Sequence, residues 1–182
     1  MIGERVTRVV EATINSLDEA SVDKACEFLA AARKIDFYGV GTSGVMALDA
    51  SQMFLGIGKN TTAYPDPHIQ VMSAALLTSK DVAVAFSHSG STKDTVTALR
   101  KAKDSGAHTI SITSYERSPI TQVSDIILLA SFGEKVAVTS VYSKIGEMVV
   151  LERIYAGCVQ KMKDEAATAK QKITSAILDK LY

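Results

Sequence analysis

The run VAVAF at residues 82–86 has no polar position. A strand of that kind gives both faces to a core, so it belongs inside a parallel sheet covered on each side. Four further short apolar or β-branched runs share its length: IDFYGV at 35–40, TTAY at 61–64, HTISIT at 108–113 and IILLA at 126–130. Helical periods separate them at 43–56, 67–77, 92–105 and, briefly, near 118–123, and a long one follows at 141–162. Strands alternating with helices predict βαβ units, a five-stranded parallel sheet and a three-layer α-β-α sandwich. The crossovers should be right-handed. Turn signals at Gly58-Lys59-Asn60, Ser79-Lys80-Asp81 and Ser105-Gly106 sit where this scheme needs them.

Two helices are expected ahead of the sheet, over 3–17 and 21–33, with Ser21 as N-cap of the second. The tail 163–182 is polar but spaces Ile173, Ile177 and Leu181 four residues apart, an amphipathic helix that needs a partner surface. The expected organisation is therefore one domain: N-terminal helices at 1–33, an α/β core at 35–162 and a C-terminal helix at 163–182.

The charge balance narrows the partners. Twenty basic and 20 acidic residues give a formal net charge of 0, whereas a domain that binds DNA by itself carries a basic face. Cys26 and Cys158 lack the C-x-x-C spacing of metal and redox sites, and both fall in apolar helical patterns, so buried thiols are expected. No metal and no cofactor is expected. The N-terminus lacks the apolar segment of a signal peptide, and no apolar run approaches the roughly 18 residues of a membrane span. A cytoplasmic protein with no membrane partner is expected.

Open parallel sheets bind ligands beyond the carboxyl ends of their strands. Gly41-Thr42-Ser43-Gly44 follows the first run, and Ser87-His88-Ser89-Gly90-Ser91-Thr92 follows the third. Thr113-Ser114-Tyr115 follows the fourth, and Thr139-Ser140, with Ser143 one turn on, lies beyond the fifth. The first two clusters each open a helix. A helix start offers free N–H groups and a partial positive charge, and hydroxyls add neutral donors. Together they form a cup for one phosphate. Taken singly, each cluster reads first as N-cap and turn chemistry. Two such clusters after two buried strands favour the phosphate cup.

Gly39, Gly41 and Gly44 also spell the G-x-G-x-x-G of dinucleotide folds, with Asp66 placed as the ribose acid. Asp66, however, lies in Tyr64-Pro65-Asp66-Pro67, a turn that it can equally fix. The second hydroxyl cluster has no role in a dinucleotide site.

Gly39-Val40-Gly41-Thr42-Ser43, followed by Ser87-His88-Ser89-Gly90-Ser91-Thr92, resembles the G-x-G-x-S and S-x-S-G-x-T pair of the sugar isomerase (SIS) domain over roughly residues 20–162. "FYGVGTSGVMALDA", "AYPDPHIQVMSAALL" and "DVAVAFSHSGSTKD" resemble the ligand-binding half of RpiR/HexR-type transcriptional regulators. "SKIGEMVVLERIYA" resembles their penultimate helix, usually S-R-I-A-Q-L. The resemblance implies a doubly wound, flavodoxin-like SIS fold that senses a phosphosugar in a homodimer or homotetramer. It implies that Ser43, Ser87, Ser89 and Thr92 hold the phosphate, with Gly41, Gly44 and Gly90 admitting it to the backbone and Thr42, Ser91 and Ser140 beside it. The sugar could be ketodeoxyphosphogluconate, an amino-sugar phosphate or a pentose phosphate, the HexR-like segments favouring the first. Such regulators carry an N-terminal helix-turn-helix domain. Residues 1–33 are too short and too little basic to supply one, so DNA contact is expected only through a part outside this chain.

SIS domains also serve aldose–ketose isomerases, which need a general base. His68, His88, Glu134, Glu147 and Glu152 are the candidates, with His88 and Glu147 foremost. His88 lies between two of the serines but reads equally as a turn residue. For a glutamate on the long helix a solvated or interface role is the default. Without a clear acid–base pair, a non-catalytic sensor is the favoured expectation, and a phosphosugar isomerase is the alternative.

Overall fold

The structure is a computed structural model that describes residues 2–130 and 140–180. In chain order the elements are α1 (Ile2–Ser16), α2 (Glu19–Ala31), β1 (Lys34–Tyr38), α3 (Thr42–Leu55), β2 (Thr61–Tyr64), α4 (Pro67–Ala74) and β3 (Asp81–Phe86). They continue as α5 (Lys93–Asp104), β4 (His108–Thr113), a 3-10 turn (Thr121–Val123), β5 (Ile126–Leu129), α6 (Ser140–Ile177) and a second 3-10 turn (Leu178–Lys180). The strands form one parallel sheet in the order β2-β1-β3-β4-β5. Each of the five expected strands is present, and the fold is the expected α/β sandwich.

The alternation of side chains along the strands divides the core in two. Ile35, Phe37, Val82, Val84, Phe86, Ile110 and Ile112 point to one face, where α2, α3 and α6 cover them. Tyr38, Ala83 and Ala85 point to the other, against α4 and α5. On that second face β1 also carries charge. Buried Asp36 pairs with Lys34 at 2.9 Å, and its carboxylate accepts from the Tyr38 hydroxyl at 3.3 Å and from the Ser73 hydroxyl of α4. Burying a carboxylate is costly without such partners. The cluster fastens α4 to the centre of the sheet.

Local differences from the expectations have plain causes. Asp18, not Ser21, caps α2: its carboxylate accepts from the Ser21 amide at 2.9 Å. The segment near 118–123 makes only the 3-10 turn. The long helix does not stop at 162. It runs to Ile177 through a kink at Lys163, whose φ of 22° interrupts the helical backbone. Ile173 and Ile177 beyond the kink are exposed, and Leu181 lies outside the described residues. Cys26 and Cys158 are free and buried, as expected.

The seam between α2 and α6 is built around Gly157. A Cβ there would lie 2.5 Å from the Cys26 sulfur, which is itself held by a hydrogen bond to the Ile154 carbonyl at 3.4 Å. Overpacking such a contact costs about 1–3 kcal/mol. Gly157→Val is expected to lower the urea unfolding free energy by about that amount, and an unchanged midpoint would show that the two helices part freely.

Candidate functional site

The strand order places the reversal of direction between β1 and β3. From β1 the chain runs outward to β2 through α3 on one face, and from β3 it runs the opposite way to β4 through α5 on the other. The two strands are direct neighbours, with Tyr38 opposite Ala85. Their loops therefore leave the same edge of the sheet side by side, and α3 and α5 start from that edge on opposite faces. This is the switch-point crevice of open α/β sheets.

The loop after β1 is shaped by its glycines. Gly41 caps α3 with φ 58° and ψ −127°, a conformation that side chains disfavour. A Cβ at Gly41 would meet nothing within 4 Å, so this backbone faces open space. Gly44 and Gly90, which the resemblance also opens to the ligand, have internal reasons to be small as well. A Cβ at Gly44 would lie 3.2 Å from the Gly39 carbonyl. Gly90 has φ 63°, and a Cβ there would overlap the Ser118 hydroxyl and come within 2.6 Å of its Cβ. Thr42 is exposed at the first position of α3, and Ser43 beside it is half-buried.

The loop after β3 is pinned from below and open above. The Gly90 amide donates to the Ser87 carbonyl at 3.0 Å, and the Ile120 amide to the Gly90 carbonyl at 2.9 Å. Ser89 and Ser91 are exposed and bond to each other, the Ser91 amide to the Ser89 hydroxyl and the Ser91 hydroxyl to the Ser89 carbonyl, both at 3.2 Å. Thr92 is the N-cap of α5, yet its hydroxyl makes no capping bond. The Ser87 hydroxyl is buried without a hydrogen-bond partner among the described residues, a cost that a polar ligand at this edge would relieve.

His88 serves the turn. Its Nδ1 lies 2.9 Å from the Ser114 hydroxyl, its ring leans on Tyr115, and its carbonyl accepts from the Ser114 amide at 3.1 Å. Burial lowers its pKa, which favours a neutral imidazole. His68 is exposed in the first turn of α4. His108 stacks on Phe28 at the far end of β4. Asp66, the ribose acid of a dinucleotide site, is engaged as the N-cap of α4, accepting from the Ile69 amide at 3.0 Å. Among the described residues no His, Cys, Asp or Glu cluster could hold a metal, and no helix is long and apolar enough to cross a membrane.

Glu147 departs most from expectation. It lies on α6, buried at 1% exposure, rather than solvated. Burial raises its pKa to about 7, against the pull of a hydrogen bond with Ser43. Its Oε1 has no hydrogen-bond partner among the described residues. Glu152, one turn further along α6, is exposed. Glu134 and Thr139 lie outside the described residues, and so does the Ser140 side chain at the start of α6.

Sequence reasoning missed Gln70. Buried on α4, it donates from Nε2 to the Gly39 carbonyl at 3.0 Å and to the Tyr64 carbonyl at 2.7 Å. No signal in the sequence marks it beyond a polar residue in an apolar helical stretch.

Residues 28–154 match the family model of the SIS domain. The chain belongs to that family. An HTH-type transcriptional regulator of Haemophilus influenzae is 41% identical over 175 residues, a match that covers 96% of this chain and 61% of the relative. The HTH-type transcriptional regulator RpiR of Escherichia coli K12 is 35% identical over 168 residues, covering 92% of this chain and 56% of the relative. The chain thus spans about six-tenths of the curated relatives it matches. The NanR protein of Vibrio vulnificus, solved in complex with ManNAc-6P, superposes with a TM-score of 0.89 at 22% identity, covering 99% of this chain and 69% of that one. This SIS domain is therefore homologous to a portion of RpiR-type regulators and shares the fold of NanR.

The Glu147 carboxyl gives the domain a pH signature. Its pKa is raised above the ordinary 4.5 on folding, so between about 4.5 and about 7 the folded state binds more protons than the unfolded one. That contribution is intact below about 4.5 and is lost as pH rises through about 7. Glu147→Gln removes the titration and keeps the shape. The variant's thermal midpoint is expected to gain on the wild type as pH rises from 5 to 8, and a constant difference across that range would remove the assignment.

Proposed function

We propose that this SIS domain binds a phosphosugar at the β1–β3 switch point and is the effector-sensing domain of an RpiR-family regulator of sugar metabolism. The phosphate would sit between the starts of α3 and α5, held by Ser43, Ser87, Ser89 and Thr92, with Thr42, Ser91 and Ser140 around it. Gly41 would let it reach the backbone. One observation carries this: the adjacency of β1 and β3 sends both hydroxyl-rich loops off a single edge. The buried, unpartnered Ser87 hydroxyl supports it, and so does the likeness to NanR, a protein solved with ManNAc-6P. Relatives of greater length named as HTH-type regulators support the regulatory role. DNA would be contacted by a helix-turn-helix domain outside these residues.

The protein would work in the cytoplasm as a homodimer or homotetramer. Val45, Leu48 and Leu55 on α3, Ile69 and Met72 on α4 and Leu76 in the turn after it are large apolar side chains left exposed. The two helices flank the edge strand β2, so an assembly through that edge would cover them. For ligand to regulate, it must bind two states of the assembly unequally.

Ser43→Ala and Ser89→Ala each remove a hydrogen bond to a charged group, worth about 1.5–3 kcal/mol. Calorimetric titration with a panel of phosphosugars is expected to find one that binds, and each substitution should weaken it by at least tenfold. Unchanged affinity in both variants would take the phosphate away from these loops.

The burial of Glu147 favours a second reading, a phosphosugar aldose–ketose isomerase. A carboxyl with a pKa of about 7 is suited to move a proton between adjacent carbons, and its contact with Ser43 places it beside the proposed phosphate. A sensor is expected to leave each phosphosugar unchanged when followed by NMR. Interconversion by the wild type that vanishes in Glu147→Gln would establish the isomerase instead.

A further inference from the structure

The pairing of β1 with β2 ends at Tyr38 opposite Tyr64. Beyond it the chain turns toward the helix starts, at the Tyr64 carbonyl on one strand and the Gly39 carbonyl on the other. The Gln70 carboxamide bridges these two carbonyls. Its one NH2 group donates to both carbonyls, at 2.7 and 3.0 Å, and the side chain is fully buried. Gln70 is itself held firmly. Asp66 caps the start of α4, and Ser73 near its end bonds to Asp36 of β1.

Gly39 is the residue on which the β1–α3 turn closes. A Cβ there would overlap the Ser43 carbonyl and lie 2.9 Å from the Gly44 amide. The turn is thus compressed from the α3 side and tied from the α4 side by Gln70. The orientation of the Gly39 peptide sets where Gly41, Thr42 and Ser43 present their donors two to four residues later.

We propose that Gln70 is a positioning residue for the anion cup: its two donated bonds fix the β1–α3 turn in the shape that receives phosphate. This rests on the phosphosugar reading given above. Gln70 would not touch the ligand. It would act through Gly39, and the chemistry required is donation, since both partners are carbonyl oxygens and only a donor satisfies them.

The test uses the whole chain, inorganic phosphate as the probe and 31P NMR titration well below the unfolding temperature of each variant. Gln70→Met keeps the bulk and removes both donors; its phosphate affinity is expected to fall about tenfold. Gln70→Glu keeps the shape. Burial facing two carbonyl oxygens raises the pKa of a carboxyl at this position, so at pH 6 the protonated acid can still donate one bond, and at pH 9 the carboxylate donates none. Relative to the wild type at the same pH, its affinity is expected to be intermediate at pH 6 and to fall at least as far as that of the Met variant at pH 9. Should Gln70→Met fail to fold, the pH series of Gln70→Glu carries the test. Phosphate affinity of Gln70→Met within twofold of the wild type would overturn the proposal, as would a Gln70→Glu ratio that does not change with pH. A wild type that binds neither phosphate nor any phosphosugar would instead sink the phosphosugar reading, and this inference with it.

Discussion

The contact between β1 and β3 governs the rest of the molecule. Because the two strands are neighbours and their connections leave in opposite directions, two loops must share one edge while their helices cover opposite faces. In the order β2-β1-β3-β4-β5 these are the neighbours whose connections diverge, one toward β2 and the other toward β4. The crevice is thus a product of topology before any side chain is chosen. What the side chains add is polarity: hydroxyls at 43, 87, 89, 91 and 92, and a backbone open to solvent at Gly41.

The two faces of the sheet support this edge differently. Toward α2, α3 and α6 the contact is apolar and bulky, with Phe37, Phe54 and Phe86 buried among aliphatic residues. Toward α4 the strand β1 supplies polar contacts instead, through Lys34, Asp36 and Tyr38, with Asp36 as their centre. A polar link is directional where an apolar one is not. The α4 side therefore sets the register of β1 against its helix, and the other side supplies the bulk of the buried area.

Much of this was legible in the residues themselves. VAVAF declared a doubly covered strand, and the periodic segments between the apolar runs placed the helices. The hydroxyl clusters at 41–44 and 87–92 declared loops at an edge. What stayed hidden depended on distances between segments far apart in the chain. Glu147 looks like any helical glutamate until α6 is laid beside Ser43. Gln70 has no sequence partner to suggest that it would bridge residues 39 and 64. Gly44 and Gly90 have a further reason to be glycine that the sequence hides, since a Cβ would meet the Gly39 carbonyl at the one and the Ser118 side chain at the other. The cap of α2 was misplaced by three residues because Asp18 and Ser21 are both good capping residues, and only the hydrogen bond distinguishes them.

The kink at Lys163 means that α6 is two rods and a joint. The first rod begins near the crevice, carries Glu147 and is sealed to α2 at Gly157. The second comes to rest on the turn after α3, where the methyl of Ala169 would crowd any Cβ at Gly58. Residue 58 is therefore constrained twice, by its own φ of 86° and by the limb that leans on it. A side chain grafted there would press first on the far rod, not on the near one that carries Glu147.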